Sequence, residues 1–426
     1  MFLIFYSYQI TINYKYVTIT SNLMKCSSLE KLQRRERLAR LSNVVLVDGR
    51  SAEHARNHLE MKIAARMDKE FLDPSDEEKE IISELKEDKL KFAERTIKQQ
   101  RDGEYFTKVG VNVRERDVHL FYQFEDRNLD MMELLVMGDT LKRSGVKSTT
   151  LYLPYIPYQR QDKKDDGRVP ISAKLVFDLI NASLGSSLKR IVTFDLHAKQ
   201  AQGFPNIPVD ELSAVPEFAA FYRDELKLSN GDNGAQVYVF SPDAGGAKRA
   251  RYLAKLLDAP QETFDKRRIG HGEARTKFQP LDVEGKKVIL IDDMIDSGGS
   301  LVGQYEKNII GPVQYLQSLG ADVYICASHR IFSEKNGITA EERFKEAGVQ
   351  VLLTDSLPPP KESYYSEHSP WMNVISLNHA IAKAFYCNQA GTSISDFIQS
   401  REERIKAHSL DFLVERQSSG VHDMNL

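Results

Sequence analysis

The stretch Lys287 to Ser300, KVILIDDMIDSGGS, constrains the fold of this chain more than any other. Val288, Ile289, Leu290 and Ile291 form an unbroken apolar run, which predicts a strand covered on both faces within a parallel sheet. At its carboxyl end come Asp292, Asp293 and Asp296, then Gly298 and Gly299 between Ser297 and Ser300. Paired glycines let backbone N–H groups converge on an anion at the start of the next helix, and the serine hydroxyls can donate to the same oxygens. Carboxylates repel phosphate, so the three acids suit sugar hydroxyls and a divalent cation. The combination predicts a cradle for a phosphorylated sugar.

With 426 residues, 41% of them hydrophobic, the chain can bury large cores, and two domains are expected. A formal net charge of −3, from 58 basic and 61 acidic residues, gives no bulk attraction for nucleic acid or an anionic membrane. Cys26, Cys326 and Cys387 are too scattered for a disulfide framework or a zinc site, which fits a reducing cytoplasm. Polar residues interrupt the apolar amino terminus every few positions, and it lacks a basic segment ahead of an unbroken core. It therefore predicts neither a membrane span nor a signal peptide. We read residues 1–40 as an extension outside the core, the first 23 dispensable, and 406–426 as a tail.

Short apolar runs alternate with amphipathic stretches, the pattern of a layered α/β fold. Expected strands are Val44 to Val47, Val118 to Tyr122, Thr149 to Leu153, Ile191 to Phe194, Val237 to Phe240, Val288 to Ile291, Val323 to Ala327 and Gln350 to Leu353. GFPNIP, Gly203 to Pro208, interrupts any helix and divides the chain into domains at 41–207 and 208–405, the last segment of the second packing back on the first. The charge-rich stretch near 68–101 predicts a solvated helical insertion, with a capping box over Pro74, Ser75 and Glu78.

Four further segments bear chemistry. YQRQDKK, Tyr158 to Lys164, puts Arg160, Gln161, Asp162 and Lys163 between a strand and a helix opening near Pro170, a loop suited to a polyanion. His197 follows a strand in FDLHAKQ, and Asp243 follows another in SPDAGGAKRA. A hard cation such as magnesium, bridging triphosphate oxygens, is what these two can share through water. FDKRRIGHGEARTK, Phe264 to Lys277, reads as a basic flap whose Lys266, Arg267 and Arg268 can close on charge developing during phosphoryl transfer.

From about Ser42 to Arg401 the chain resembles the ribose-phosphate diphosphokinase family. RDGE at Arg101 to Glu104, NLDMMELLVMGDTLKRSG at Asn128 to Gly145, and the loop, histidine, SPDAGG, flap and DDMIDSGGS segments occur in that family's order. The resemblance implies two tandem type I phosphoribosyltransferase-like domains, each a mostly parallel sheet flanked by helices. It implies transfer of the diphosphoryl group of ATP to ribose 5-phosphate with Mg2+ as cofactor, by a dimer or hexamer of this chain without nucleic acid or membrane partners. A non-catalytic regulatory subunit of the same fold, or a type I phosphoribosyltransferase, is the alternative. Carried over by motif, Asp102, Gly103, Glu104, Arg160, Gln161 and Asp162 would bind ATP, and His197 and Asp243 would attend the metal. Lys266 and Arg268 would be catalytic, while Arg268, Asp292, Asp293, Asp296, Ser297, Gly298, Gly299 and Ser300 would bind ribose 5-phosphate. Gln100 stands where the family usually has an adenine-stacking aromatic residue.

Overall fold

The computed structural model describes residues 32–406 apart from 51, 53–55, 71–75, 231–235, 269–273, 278–280, 305–308 and 362. A helix over residues 32–42 (α1) leads into β1 (Val44–Asp48), α2 (Arg56–Glu70) and α3 (Asp76–Glu84), which ends in a π-helical turn, Leu85–Lys89. β2 (Arg95–Gln99) and β3 (Tyr105–Val109) form a separate antiparallel hairpin. Then follow β4 (Asp117–Phe121), α4 (Leu129–Arg143), β5 (Ser148–Leu153), α5 (Ser172–Leu184), β6 (Leu188–Phe194) and β7 (Val209–Leu212). β1, β4, β5, β6 and β7 lie side by side in that order, all parallel.

The second half starts with α6 (Val215–Asp224), β8 (Val237–Ser241), α7 (Ala247–Leu257) and β9 (Gln261–Thr263). β10 (Asp265–Arg268) and β11 (Ala274–Lys277) pair as a hairpin before β12 (Lys287–Ile295) and α8 (Gly299–Val302). A short pair, β13 (Gly303–Gln304) and β14 (Ile309–Ile310), precedes α9 (Pro312–Ser318), β15 (Asp322–Arg330), α10 (Ala340–Ala347) and β16 (Gln350–Thr354). α11 (Tyr364–Glu367), β17 (Met372–Ile375), α12 (Asn378–Ala390) and α13 (Ile394–Lys406) complete the described chain. The second sheet is also parallel, in the order β17-β16-β15-β12-β8-β9. The chain steps outward from β8 to β9 and then returns to the other side of β8 at β12, so the winding reverses between β8 and β12. In parallel α/β sheets such a reversal opens a crevice at the carboxyl ends of the two strands.

The apolar runs are continuous because successive side chains enter different cores. Val44 and Leu46 pack into one cluster and Val45 and Val47 into another; Ile289 and Ile291 join the first, while Val288 and Leu290 join a third. Each such residue contributes about 2 kcal/mol when fully buried. The first cluster spans both sheets, taking in Val192 and Phe194 of β6, Val237 and Val239 of β8, and Phe385 of α12. Capping sets several helix ends. At α10, Thr339 Oγ1 accepts from Glu342 N at 3.2 Å while Glu342 Oε2 accepts from Thr339 N at 2.8 Å.

All eight expected strands are present, and the layered α/β fold is as read. Several details differ. Residues 32–40 of the expected extension belong to α1, whose Leu38 is 2% exposed and, with Leu41, packs into the shared core. The stretch near 68–101 is not helical throughout: its end is β2, which pairs with β3 and places Asp102 to Glu104 on a hairpin turn. β7 lies past residue 207 yet pairs with β6, so the first sheet extends beyond that boundary. β12 runs on to Ile295, with Asp292 paired to Ala327 and Met294 to His329, so Asp292 and Asp293 lie within the strand and not beyond it. The helix after the paired glycines is a single turn, Gly299–Val302, ended by Gly303 at φ 111°. The first 23 residues, the cap over Pro74 and Ser75, and the tail from 407 lie outside the described residues.

α12 packs on α2, and His119 of β4 connects to it. Fully buried, His119 accepts from Tyr152 OH through Nδ1 at 3.0 Å and donates through Nε2 to Gln389 Oε1 at 2.9 Å, with the Phe385 ring edge-on at 4.6 Å. This network suits the neutral imidazole, and burial lowers its pKa from 6.5 to about 4. An unfolded chain takes up that proton near pH 6.5 and the folded one only near pH 4, so stability falls as pH drops through this window. His119→Gln should flatten the pH dependence of the urea midpoint between pH 7.5 and 5 by the equivalent of about 2 kcal/mol; an unchanged slope would remove His119 from the account.

Candidate functional site

The crevice between β8 and β12 is lined with acids. β12 delivers Asp292 and Asp293, its following turn delivers Asp296, and Asp243 follows β8. Asp293 is 5% exposed. Two adjacent carboxylates at the end of a buried strand require compensation, and it comes from both halves of the chain. From the first, His197 Nδ1 lies 2.7 Å from Asp293 Oδ2. From the second, Arg249 on α7 holds Nη1 3.7 Å from Asp292 Oδ1 and 3.9 Å from Asp293 Oδ1.

The pair titrates apart. Burial, then the charge of Asp293, pushes Asp292 well above the usual carboxylate range. Burial opposes ionisation of Asp293 too, but the His197 hydrogen bond and the Arg249 charge hold it below that range. The same hydrogen bond raises the pKa of His197. Ionisation is thus favoured at Asp293 and opposed at Asp292, with the imidazole of His197 beside the pair.

The loop bearing His197 is tightly fixed. Its N–H donates to Oε1 of the buried Gln159 at 2.9 Å. Asp195, two residues earlier, is in the left-handed region at φ 37°. Its carboxylate accepts from Ser213 Oγ at 2.9 Å, Ala214 N at 2.8 Å and, across to β15, Ser328 Oγ at 2.5 Å. Buried His329 reaches back from β15 to the carbonyls of Phe194 and Asp195 at 3.2 and 3.3 Å. Bonds between β6 and β15 therefore set where His197 meets Asp293.

The polyanion loop closes the crevice from the other side. Arg160 Nη1 lies 2.7 Å from Asp296 Oδ2, and Ser333 Oγ donates to the other oxygen of Asp296. Gln161 is tied to α5 by Ala173 N at 3.2 Å and by the Ser172 hydroxyl, while Asp162 accepts from Gln200 Nε2 at 2.8 Å. The N–H groups of Ser297, Gly298, Gly299 and Ser300 and both serine hydroxyls have no hydrogen-bond partner among the described residues. Gly298 sits at φ 72°, and a Cβ there would meet the Phe344 ring at 3.1 Å, so only glycine fits this turn. Those donors can all serve one anion.

Asp243 caps the turn after β8, its Oδ1 accepting from Gly245 N at 2.9 Å and Gly246 N at 3.3 Å, and it adds negative charge to the surroundings of Asp292. Among the described residues no group of three or more metal-binding side chains is assembled. Among the described residues nothing bonds His197 Nε2 or Asp243 Oδ2, so the site fits a hard cation held mainly by phosphate oxygens and water.

Of the other expected site residues, Asp102, Gly103 and Glu104 form the exposed turn of the β2–β3 hairpin. Among the described residues no hydrogen bond or ion pair joins them to the acidic crevice, and their contacts lie within the turn: Glu104 N to Asp102 Oδ1 at 3.1 Å and Gln99 Nε2 to Gly103 O at 3.2 Å. Lys266 and Arg268 lie on β10, opposite Thr276 and Ala274 of β11. Their side chains fall outside what is described. Sequence reading missed Arg249, Asp195, Gln159 and Ser333. Arg249 left a trace, a cation just ahead of the apolar face Ala250, Leu253, Ala254, Leu257, and Asp195 entered only as the acid two residues before His197; Gln159 and Ser333 left none, since their roles depend on partners far away in the chain.

Comparison with known proteins gives the same assignment. Residues 52–183 match the family model of the N-terminal domain of ribose phosphate pyrophosphokinase, and 208–306 match that of the phosphoribosyl transferase domain. A ribose-phosphate pyrophosphokinase of Caldanaerobacter subterraneus subsp. tengcongensis is 37% identical over 308 residues, 72% of this chain and 90% of the relative. One from Agrobacterium fabrum is 44% identical over 265 residues, covering 62% of this chain and 79% of the relative. The crystal structure of phosphoribosylpyrophosphate synthetase from Mycobacterium smegmatis superposes with a TM-score of 0.62 at 31% identity, over 81% of this chain and 98% of that one. With both domain models matched in order and a 37% identical relative covered over 90% of its length, the chain belongs to the ribose-phosphate pyrophosphokinase family.

Proposed function

We propose that this chain transfers the β,γ-diphosphoryl group of ATP to the 1-hydroxyl of ribose 5-phosphate, forming 5-phosphoribosyl 1-diphosphate and AMP for nucleotide biosynthesis. The observation that supports it most is the meeting of two loops. Arg160 of the polyanion loop touches Asp296 of the sugar cradle at 2.7 Å, and His197 touches Asp293 at the same distance, so a nucleotide and a sugar phosphate held by these loops would lie side by side. Holding the two together in line supplies much of a phosphoryl-transfer rate.

In this reading the N–H groups of Ser297 to Ser300 bind the 5-phosphate, and Asp292, Asp293 and Asp296 orient the ribose hydroxyls. Asp102, Gly103 and Glu104 contribute to ATP binding, together with Arg160, Gln161 and Asp162. The sugar hydroxyl attacks the β-phosphorus of ATP, the bond from that phosphorus to the α,β-bridging oxygen breaks, and AMP departs. Lys266 and Arg268 of the flap close over the charge that develops, with Arg268 also reaching the sugar phosphate. His197 and Asp243 would hold magnesium through water, and its charge would offset that of the phosphates. Arg249 keeps the carboxylate pair in place. No helix among the described residues is long and apolar enough to cross a membrane. We place the protein in the cytoplasm, where the free buried thiols of Cys326 and Cys387 are stable, as an oligomer of identical chains.

Purified protein given ATP, magnesium and ribose 5-phosphate should yield AMP and phosphoribosyl diphosphate in equal amounts; release of ADP alone, or no AMP across phosphate and magnesium concentrations, would sink the reading. Lys266→Ala should fold normally and lose about a thousandfold in turnover, whereas near-normal turnover takes Lys266 out of the mechanism. Arg249→Met should lower the urea-derived stability by about 3 kcal/mol at pH 7.5, because the acids then lack a counter-charge. That deficit should shrink as pH falls and the carboxylates take up protons; a deficit independent of pH would mean that Arg249 acts through packing alone.

A further inference from the structure

Asp130 and Glu133, three residues apart on α4, are both 0% exposed and take no part in the crevice at β12. Fully buried carboxylates need counter-charge. Arg50, just after β1, provides it: Nη2 lies 3.1 Å from Asp130 Oδ1 and Nε lies 3.3 Å from Glu133 Oε2, while its backbone N–H donates to Glu133 Oε1 at 3.0 Å. The acids are themselves fixed. Asp130 Oδ2 accepts from the N–H groups of Glu125 at 2.7 Å and Asp126 at 3.0 Å, and the Tyr122 hydroxyl donates to Glu133.

A guanidinium held this way has a set direction, and its outer edge meets the β2–β3 hairpin. Arg50 Nη2 donates to the Tyr105 hydroxyl at 3.3 Å, and its central carbon lies 5.8 Å from the centre of that ring. Tyr105 is the first residue of β3, pairs with Gln99 and directly follows Glu104. The turn between the strands is closed on itself by Gln100 N to Glu104 O at 2.7 Å and Gly103 N to Gln100 O at 3.0 Å, so it moves as a unit with its first flanking pair. At the base of the hairpin Arg95 grips the end of β1, donating from Nε to Asp48 O at 3.0 Å and from Nη2 to Asp48 Oδ2 at 3.2 Å. Arg95 fixes where the hairpin starts, and Arg50 fixes the angle at which its tip projects.

We infer that Arg50 is a positioning residue for the nucleotide, aiming the Asp102–Glu104 turn through Tyr105 from an anchorage on Asp130 and Glu133. This rests on the reading that the turn serves ATP. It predicts an effect confined to one substrate. Arg50→Lys keeps a cation between the acids and loses the fork that reaches Tyr105; Tyr105→Leu leaves Arg50 and the acids intact and removes what they hold.

Both variants, made in the full chain and assayed with ATP, magnesium and ribose 5-phosphate, should raise the KM for ATP about tenfold, with kcat and the KM for ribose 5-phosphate within about twofold of the parent. Asp102→Asn and Glu104→Gln are measured alongside. If these raise the KM for ATP while Arg50→Lys and Tyr105→Leu leave it unchanged, the inference falls and the reading of the turn stands. If none of the four changes it, the turn does not serve ATP and both fall. Equal loss in all three kinetic constants would show Arg50 to be a general structural support, which also overturns the inference.

Discussion

Two adjacent carboxyl groups at the end of a buried strand set the terms for the rest of this molecule. Asp292 and Asp293 cannot both be ionised in that setting without opposing charge, and the fold brings Arg249 from α7 and His197 from the loop after β6 to meet them. The two partners come from different halves of the chain. The acid pair therefore links the relative placement of the sheets to the electrostatics of the crevice, and the Asp195–Ser328 and His329 contacts brace the same junction. A core cluster common to both sheets supplies the stiffness that such a junction needs.

The strands were legible because a fully covered parallel strand needs apolar residues on both faces, and VVLV at Val44 to Val47 or VILI at Val288 to Ile291 satisfies little else. The glycine and acid pattern after β12 was legible for a similar reason: Gly298 needs a positive φ and room beside Phe344. Edge and accessory pieces were not. β2, β3 and β7 are short and partly exposed, with mixed polarity, so neither an apolar run nor a clean alternation marks them, although β2 and β3 pair locally with each other and β7 with the preceding β6. The end of β12 was misjudged because aspartate in a strand reads as its terminus, and only pairing to Ala327 and His329 on β15 keeps the chain extended.

Within the site, sequence found groups whose chemistry is local and missed groups whose role is relational. Asp296, His197 and Arg160 stand in recognisable loops. Gln159, Asp195 and Ser333 look ordinary until their partners, 38, 133 and 37 residues away, are known. Arg50 is of the same kind: nothing in DGRS suggests that its guanidinium lies between two buried acids 80 and 83 residues on and steadies a hairpin. Such residues set geometry and not reactivity.

On the proposed function, the nucleotide and the sugar phosphate share one crevice, between the Arg160 loop and the turn after β12. A crystal structure with a non-hydrolysable ATP analogue and ribose 5-phosphate would show whether they do. The account predicts the 5-phosphate on the N–H groups of Ser297 to Ser300, the ribose hydroxyls facing Asp292 and Asp296, and the analogue's phosphates beside Arg160, with the sugar 1-hydroxyl facing the β-phosphorus. Ligands bound in separate places, or a sugar phosphate away from that turn, would contradict it.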